Sequence, residues 1–209
     1  FLSDAGFCSR RQADRLIEEG HVKVNSETAL MGQKVTLLDK VTVDGKEVSR
    51  EEEQIVIAFN KPVGVECTTD KNNPDNIGRL DKNSQGLILL TNDGALVNNI
   101  LKASNYHEKE YVVTVDKPIT EEFIKQMSKG VKILDQVTRP CVVKKVNKHT
   151  FNIILTQGLN RQIRRMCETL GFKVQKLKRV RIMGVHLDNL PIGNYRNLTN
   201  SELDSLKKN

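Results

Sequence analysis

Residues 78–93, GRLDKNSQGLILLTND, place Asp81 two positions after Arg79 and just before an apolar segment. The apolar run 87–91 predicts a buried strand, and the Asn-Asp-Gly sequence at 92–94 predicts a turn after it. Asp81 is therefore expected at the edge of a sheet, with a cation close by. Because an aspartate next to a turn is structural far more often than catalytic, this pattern alone does not assign chemistry to it.

Outward from this stretch, strand and helix patterns are interspersed without a regular strand–helix–strand rhythm. We therefore predict an α+β fold with a largely antiparallel central sheet flanked by helices. The predicted strands are 21–25, 41–43, 46–48, 55–60, 87–91, 111–115, 142–146 and 151–156, and the predicted helices are 9–20, 95–102, 120–130, 160–170 and a terminal helix capped by Thr199 and Glu202.

The first fifty residues have the features of a small separate domain. Ser9 and Gln12 form a capping-box pattern at a helix start, and Asp44-Gly45 predicts a hairpin turn. Three consecutive glutamates at 51–53 resemble a linker. We expect one domain at 1–50 and a larger one at 54–209.

The positive charge is concentrated in one short window. The chain has a formal net charge of +7, and residues 156–181 contain eight Lys or Arg against one acidic residue. A solvated basic face is the simplest explanation, but a dense cluster of one sign repels itself unless an anion offsets it. The pattern therefore favours a polyphosphate partner such as RNA. An aromatic content of 4% without Trp argues against binding mainly by base stacking.

The four cysteines are widely spaced and do not cluster with the four histidines. This predicts reduced thiols and no metal site. The sequence contains no apolar run of membrane-spanning length and no apolar signal segment, so we expect a cytoplasmic protein without membrane contact. Because the chain opens on Phe1, we expect that it begins inside a longer one.

Residues 78–93 resemble the active-site segment of the RNA pseudouridine synthases of the RsuA/RluB/RluE/RluF type. Further signatures of that family match 61–64 (KPVG), 162–164 (QIR) and 190–199 (LPIGNYRNLT), so the resemblance covers nearly the whole chain. Residues 9–25 resemble the S4 RNA-binding domain. Residues 82–85 and 158–162 are most similar to the RluF branch, which modifies large-subunit ribosomal RNA.

The resemblance implies that Asp81 is the catalytic residue. Members of this family break the N-glycosidic bond of a uridine, rotate the base and rejoin it through carbon, without a metal or another cofactor. Arg164 would pair with the aspartate, although an i,i+4 pair with Glu168 on the surface is an alternative. Tyr111 would stack on the uracil, and Arg79 would help to hold the target nucleotide.

The remaining predicted site residues are expected to contact the RNA backbone. They are Arg10, Arg11, Arg15 and Lys23 in the first domain and Asn160, Arg161, Arg165, Lys178, Arg179 and Arg181 in the second. The expected partner of this monomer is 23S (large-subunit) ribosomal RNA, with tRNA or small-subunit RNA as alternative or additional substrates.

A different class of function is a non-catalytic S4-type RNA-binding or ribosome-assembly factor. That reading explains the basic residues but gives no reason for the match at Asp81, Tyr111 and Arg164. Whether Asp81 attacks the sugar, attacks the base or abstracts a proton stays open.

The sequence departs from the family pattern just before Gly78. Relatives have a longer connection between the KPxG turn and the GRLD segment, so we expect a loop to be missing between Ile77 and Gly78. Their Cα atoms should then lie farther apart than the ~3.8 Å of bonded neighbours.

Overall fold

Two unequal β-sheets and a two-stranded ribbon organise the chain in the computed structural model. The structure describes residues 1–3, 5–36, 38–49, 55–67, 75–77, 79–92, 96 and 106–207. Gly78, the linker at 50–54 and most of the predicted helix 95–102 lie outside these residues. The expected break before Gly78 and the domain boundary therefore stay predictions.

The N-terminal unit is a four-stranded antiparallel sheet with one helix, α1 (Arg10–Glu18). The strand order is β2-β1-β3-β4, where the strands are β1 (Val22–Val24), β2 (Glu27–Thr28), β3 (Val41–Val43) and β4 (Lys46–Glu47). Ser9 caps α1, its hydroxyl accepting a bond from the Gln12 N–H at 3.4 Å. Leu2, Ala13, Val22 and Val41 belong to an apolar cluster formed by this unit alone.

The second sheet is nine-stranded, with the path β11-β12-β8-β13-β7-β5-β15, and β14 and β6 pair with β13 and β7. Its strands are β5 (Val56–Lys61), β6 (Asp75–Ile77), β7 (Gln85–Thr91), β8 (Lys109–Val115), β11 (Val142–Lys145), β12 (Thr150–Leu155), β13 (Val174–Ile182), β14 (Val185–His186) and β15 (Tyr195–Asn197). The ribbon is β9 (Lys132–Ile133) with β10 (Gln136–Val137). Among the described strands of this sheet only β7 and β13 pair in parallel, which confirms the predicted, largely antiparallel sheet.

Apolar side chains cover both faces of the large sheet. Along β7, Ile88 joins one apolar cluster while Leu87 and Leu89 join the other, because successive side chains of a strand point to opposite faces. Helices α2 (Glu121–Lys129) and α3 (Gln162–Thr169) contribute to the first cluster, and α4 (Asn200–Lys207) contributes to the second. Burial on both faces explains why β7 is almost continuously apolar.

The longest strand, β13, was not predicted from the sequence. It lies between β8 and β7, although its sequence VQKLKRVRI carries four cations. Register shifts between Val174 and Lys176 and between Arg179 and Arg181 interrupt the two-residue alternation. The apolar periodicity that would indicate a strand is therefore broken.

Side chains also cap the starts of helices α2 and α4. Thr120 caps α2 through the Phe123 N–H at 3.1 Å. At α4, the Thr199 N–H donates to Glu202 at 2.9 Å and the Glu202 N–H donates to the Thr199 hydroxyl at 3.2 Å, so this capping box is confirmed. All four cysteines are free thiols. In the part of the chain that the structure describes, no helix has the length and apolar character needed to span a membrane.

Candidate active site

Asp81 lies in a tight turn immediately before β7. The Ser84 N–H donates to the Asp81 carbonyl at 2.9 Å and closes the turn. Leu80, only 8% exposed, anchors the preceding residue in the core. The Gly64 N–H donates to the Lys82 carbonyl at 2.8 Å, which ties the 61–64 turn to the aspartate segment.

Lys61 holds that supporting turn together. Its side chain is 1% exposed, and its ammonium donates to the carbonyls of Pro62 at 2.8 Å and Val65 at 2.7 Å. Burial lowers the pKa of Lys61, while the nearby Cys67 and Asp81 oppose this shift. The role of Lys61 is thus local, because it fixes the backbone that carries Asp81.

Helix α3 brings Arg164 next to Asp81. Ile163, Met166 and Cys167 form the buried stripe of the helix, and Arg164 at the border of that stripe is only 8% exposed. Its Nε lies 3.9 Å from Asp81 Oδ2, and its Nη2 donates to the Asn83 carbonyl at 2.8 Å and the Ser84 hydroxyl at 3.2 Å. Arg164 therefore binds the turn that holds the aspartate.

The guanidinium of Arg161 also lies near Oδ2 of the Asp81 carboxylate. Arg161 precedes α3 in a left-handed conformation, with φ at 50°, and its Nη1 lies 3.7 Å from Asp81 Oδ2. The side chain of Arg161 is 42% exposed and that of Arg164 is 10% exposed. Asp81 thus lies beside one buried and one accessible cation.

Tyr111 extends from β8 into the same region and is 9% exposed. On the adjacent strand, Arg179 lies opposite Tyr111, with its guanidinium carbon 6.0 Å from the ring centroid. The Arg179 Nε donates to the Leu87 carbonyl at 2.7 Å. Gly86 permits this close approach, because a Cβ there would lie 2.2 Å from the Arg179 carbonyl oxygen.

These side chains line one cavity of about 730 Å³. Its wall includes Asp81, Tyr111, Arg79, Arg161 and Arg164. The volume lies within the range of small-molecule sites and suits a single nucleotide. Within the described residues, no group of three or more His, Cys, Asp or Glu side chains could hold a metal ion. The four residues predicted to form the reaction centre therefore meet in one cleft.

A family model described as RNA pseudouridylate synthase matches residues 55–169, and an S4 domain model matches residues 1–39. The chain belongs to the RNA pseudouridylate synthase family. It is 53% identical to the dual-specificity RNA pseudouridine synthase RluF of Escherichia coli strain K12, across 100% of this chain and 77% of that protein. The enzymes of this family are isomerases, and this chain is one of them.

Two further comparisons agree with this family. The ribosomal large subunit pseudouridine synthase B of Bacillus subtilis strain 168 is 37% identical, across 99% of this chain and 93% of that protein. A crystal structure of a pseudouridylate synthase superposes with a TM-score of 0.73 at 29% identity, covering 98% of this chain and 96% of the other. The alignment with the E. coli synthase spans 223 positions against 209 residues here, so that relative carries residues that this chain lacks.

The other basic residues predicted to contact RNA have diverse environments. Arg10, Arg11, Arg15 and Lys23 are exposed in the N-terminal unit, Asn160 is exposed at the cleft and Lys178 is half-buried on β13. The half-buried Arg165 donates to the Asn160 carbonyl and side chain, both at 3.1 Å. These contacts order the loop that carries Arg161.

Burial argues against the predicted RNA contact of Arg179, whereas the contact predicted for Arg181 stays a prediction. Arg179 is 1% exposed, so it cannot contact the RNA backbone from the surface and instead lies beneath Tyr111. Arg181 pairs with Glu108 at 3.0 Å and Glu110 at 2.9 Å, so two carboxylates offset its charge. Both residues belong to β13, a strand that was not predicted, so its cations were expected on a basic surface.

Sequence reasoning also missed two side chains of the cleft. Arg161 was assigned to backbone contacts, and its left-handed conformation, which aims it at Asp81, had no sequence signal. Lys109 was not among the predicted site residues. It lines the cavity together with Tyr111, and alternation along β8 could have placed both on one face.

Proposed function

We propose that this enzyme isomerises a uridine of large-subunit ribosomal RNA to pseudouridine, that it also accepts a tRNA, and that Asp81 is its catalytic residue. One observation carries the proposal. Asp81 Oδ2 lies 3.7 Å from Arg161 and 3.9 Å from Arg164, in a nucleotide-sized cavity that Tyr111 also lines. A carboxylate that lies beside two cations and is partly removed from water is suited to nucleophilic or basic chemistry on a ribose or a base.

The other residues have supporting roles in this proposal. Tyr111 stacks on the uracil, Arg79 at the exposed edge of the cleft holds the displaced nucleotide, and Arg164 fixes Asp81. The target nucleotide must leave its stack to reach Asp81, at a cost of a few kcal/mol. Phosphate contacts made by exposed basic residues would offset this cost.

The reaction itself needs no redox partner, because uridine and pseudouridine contain the same atoms. We therefore propose that the enzyme acts without a cofactor. A non-catalytic RNA-binding factor would have no need for a partly buried carboxylate between two guanidiniums, so the geometry favours catalysis.

We further propose that residues 1–50 form an RNA-binding domain and residues 54–209 the catalytic domain of a cytoplasmic monomer. The separate sheet and apolar cluster of the N-terminal unit support this division. The exposed Arg10, Arg11, Arg15 and Lys23 would contact RNA phosphates there.

The test is an assay for tritium release from RNA labelled at C5 of uridine, in buffer containing EDTA. The substrates are transcripts of large-subunit RNA, small-subunit RNA and tRNA. We expect release from the large-subunit transcript and from at least one tRNA, while release from the small-subunit transcript alone would contradict the proposed target. No release from any of them, confirmed by mapping pseudouridine in cellular RNA with and without the gene, would contradict the proposed activity.

A further inference from the structure

Lys109 is a half-buried cation on the strand that carries Tyr111. It is the first residue of β8 and lies two positions before Tyr111, so both side chains project from the same face of the sheet. Its neighbours across the sheet are Leu155 and Ile182, both buried and apolar. Its ammonium has a long hydrogen bond, 3.3 Å, to the His107 carbonyl. Within the described part of the chain, no carboxylate lies within ion-pair distance of it.

The surroundings of Lys109 are positively charged. Burial and the charge of Arg179 on β13 lower the pKa of Lys109 to about 8. Tyr111 on its own strand and the preceding His107 line the same cavity, and the charged groups from the other cavity-lining segments are Glu66, Arg79, Asp81, Lys82, Arg161 and Arg164. Of the two carboxylates in that set, Asp81 lies near Arg161 and Arg164, and Glu66 lies 3.5 Å from Lys82.

A half-buried ammonium without an anionic partner loses part of its hydration without compensation. The position of the Lys109 ammonium is explained if the cavity receives an anion during the reaction. The proposed reaction supplies one. When the N1–C1′ bond breaks, its electron pair stays on the uracil and is delocalised onto the two carbonyl oxygens. The C5–C1′ bond then forms, the C5 proton leaves and N1 takes up a proton, so that the atoms balance.

We propose that Lys109 is a further catalytic residue, whose ammonium donates a hydrogen bond to a carbonyl oxygen of the uracil while the base is detached from the ribose. The inference rests on the proposed function. Stabilisation of charge that develops only during the reaction raises the rate of the chemical step rather than the affinity for RNA. A second possible anion, a phosphate of the bound RNA, is present before the reaction and would affect affinity instead.

The test compares Lys109→Met and Lys109→Arg with wild type, using the full chain and an RNA that wild type modifies. Lys109→Met should lower the single-turnover rate at saturating enzyme about 100-fold, with the Kd for RNA changed less than about threefold. Lys109→Arg should restore at least a tenth of the wild-type rate. Lys144→Met, an exposed lysine on β11, is the matched control. A decrease in rate of less than about threefold for Lys109→Met would overturn the proposal. A weaker RNA affinity without a slower chemical step would also overturn it and would indicate a phosphate contact.

A pH profile separates a catalytic role from a structural one. The rate at sub-saturating enzyme reports groups of the free enzyme. For wild type it should fall above pH 8, as Lys109 loses its proton, whereas the Arg variant stays charged and should lack this fall up to about pH 9. An identical fall in both would overturn the proposal even if Lys109→Met does not fold. If wild type modifies no RNA, the proposed function has failed, whereas an active wild type with an unaffected Lys109→Met contradicts this inference alone.

Discussion

Asp81 is held among positive charges by two arginines that differ in their access to solvent. Arg164 is largely buried and also donates to the backbone of the turn, while Arg161 is accessible at the mouth of the cleft. The family resemblance indicated Arg164. No periodicity could indicate Arg161, because its position depends on a single left-handed residue.

Arg164→Ala should lower the single-turnover rate about 100-fold or more, because Asp81 loses its buried cation and the turn loses two hydrogen bonds. Arg161→Ala should cost about tenfold, since water can partly replace an exposed partner. The control is Glu168→Ala, which should behave like wild type. If Glu168→Ala proved as damaging as Arg164→Ala, Arg164 would act mainly as a partner of Glu168 on the helix surface.

Gly86 sets how closely β7 and β13 can approach. Its φ is +109°, and an added Cβ would meet the Arg179 backbone. Gly86→Ala should therefore lower the free energy of unfolding by on the order of 3 kcal/mol, measured by urea denaturation. Gly158→Ala, where nothing lies within 4 Å of the added Cβ, serves as the control. Equal stability of the two variants would show that the strands can separate at little cost.

At the scale of elements, helices and strands with a regular sequence pattern could be predicted, whereas those with an irregular pattern could not. The three buried apolar positions of α3 and the capping box of α4 have one consistent spacing each, and both elements were predicted. The central strand β13 was missed because its shifts of register and its cations hide its buried positions. The cleft forms where α3, β8 and the Asp81 turn meet, so a local pattern could not reveal its shape, and the family resemblance was needed to associate these residues.

The start of α4 should give a pH-dependent stability. Glu202 accepts bonds from Arg196 at 2.7 and 2.8 Å, and these bonds, then the Thr199 N–H, lower its pKa below the usual value. A carboxyl group whose pKa is lower in the folded than in the unfolded protein stabilises the fold fully at pH values above its unfolded-state pKa. This stabilisation is lost as the pH falls through the folded-state pKa. Glu202→Gln should therefore destabilise the protein by about 1–2 kcal/mol at pH 7.

The same substitution should cost much less at about pH 3. The comparison uses denaturant unfolding at both pH values, with Glu121→Gln in the first turn of α2 as the control. A penalty for Glu202→Gln that is equal at both pH values would indicate that the ionised carboxylate does not stabilise this helix end.

At the scale of the whole molecule, the N-terminal unit has its own sheet and apolar cluster, and its basic side chains are exposed. Arg10 and Arg11 lie in the first turn of α1, where cations oppose the helix dipole. A bound phosphate would remove this cost, so the proposed RNA contact would account for their position.

The triple variant Arg10→Ala, Arg11→Ala, Arg15→Ala should weaken RNA binding about tenfold or more at 0.1 M salt and reduce the dependence of log Kd on log salt by about two. The single-turnover rate at saturating enzyme should change little. The control is a second triple variant that removes the same charge outside the predicted contact set: Lys125→Ala, Lys129→Ala, Lys132→Ala. Equal losses in the two triple variants would mean that only net charge matters.

Asp81→Asn provides the most direct test of the proposed mechanism, because it keeps the size of the side chain and removes its charge and nucleophilicity. The measurement is pseudouridine formed in a single turnover, with RNA affinity determined on the same sample. We predict no detectable product and a Kd within a few-fold of wild type. Product formation at a rate near that of wild type would contradict the assignment of Asp81 and would require another carboxylate to perform the chemistry.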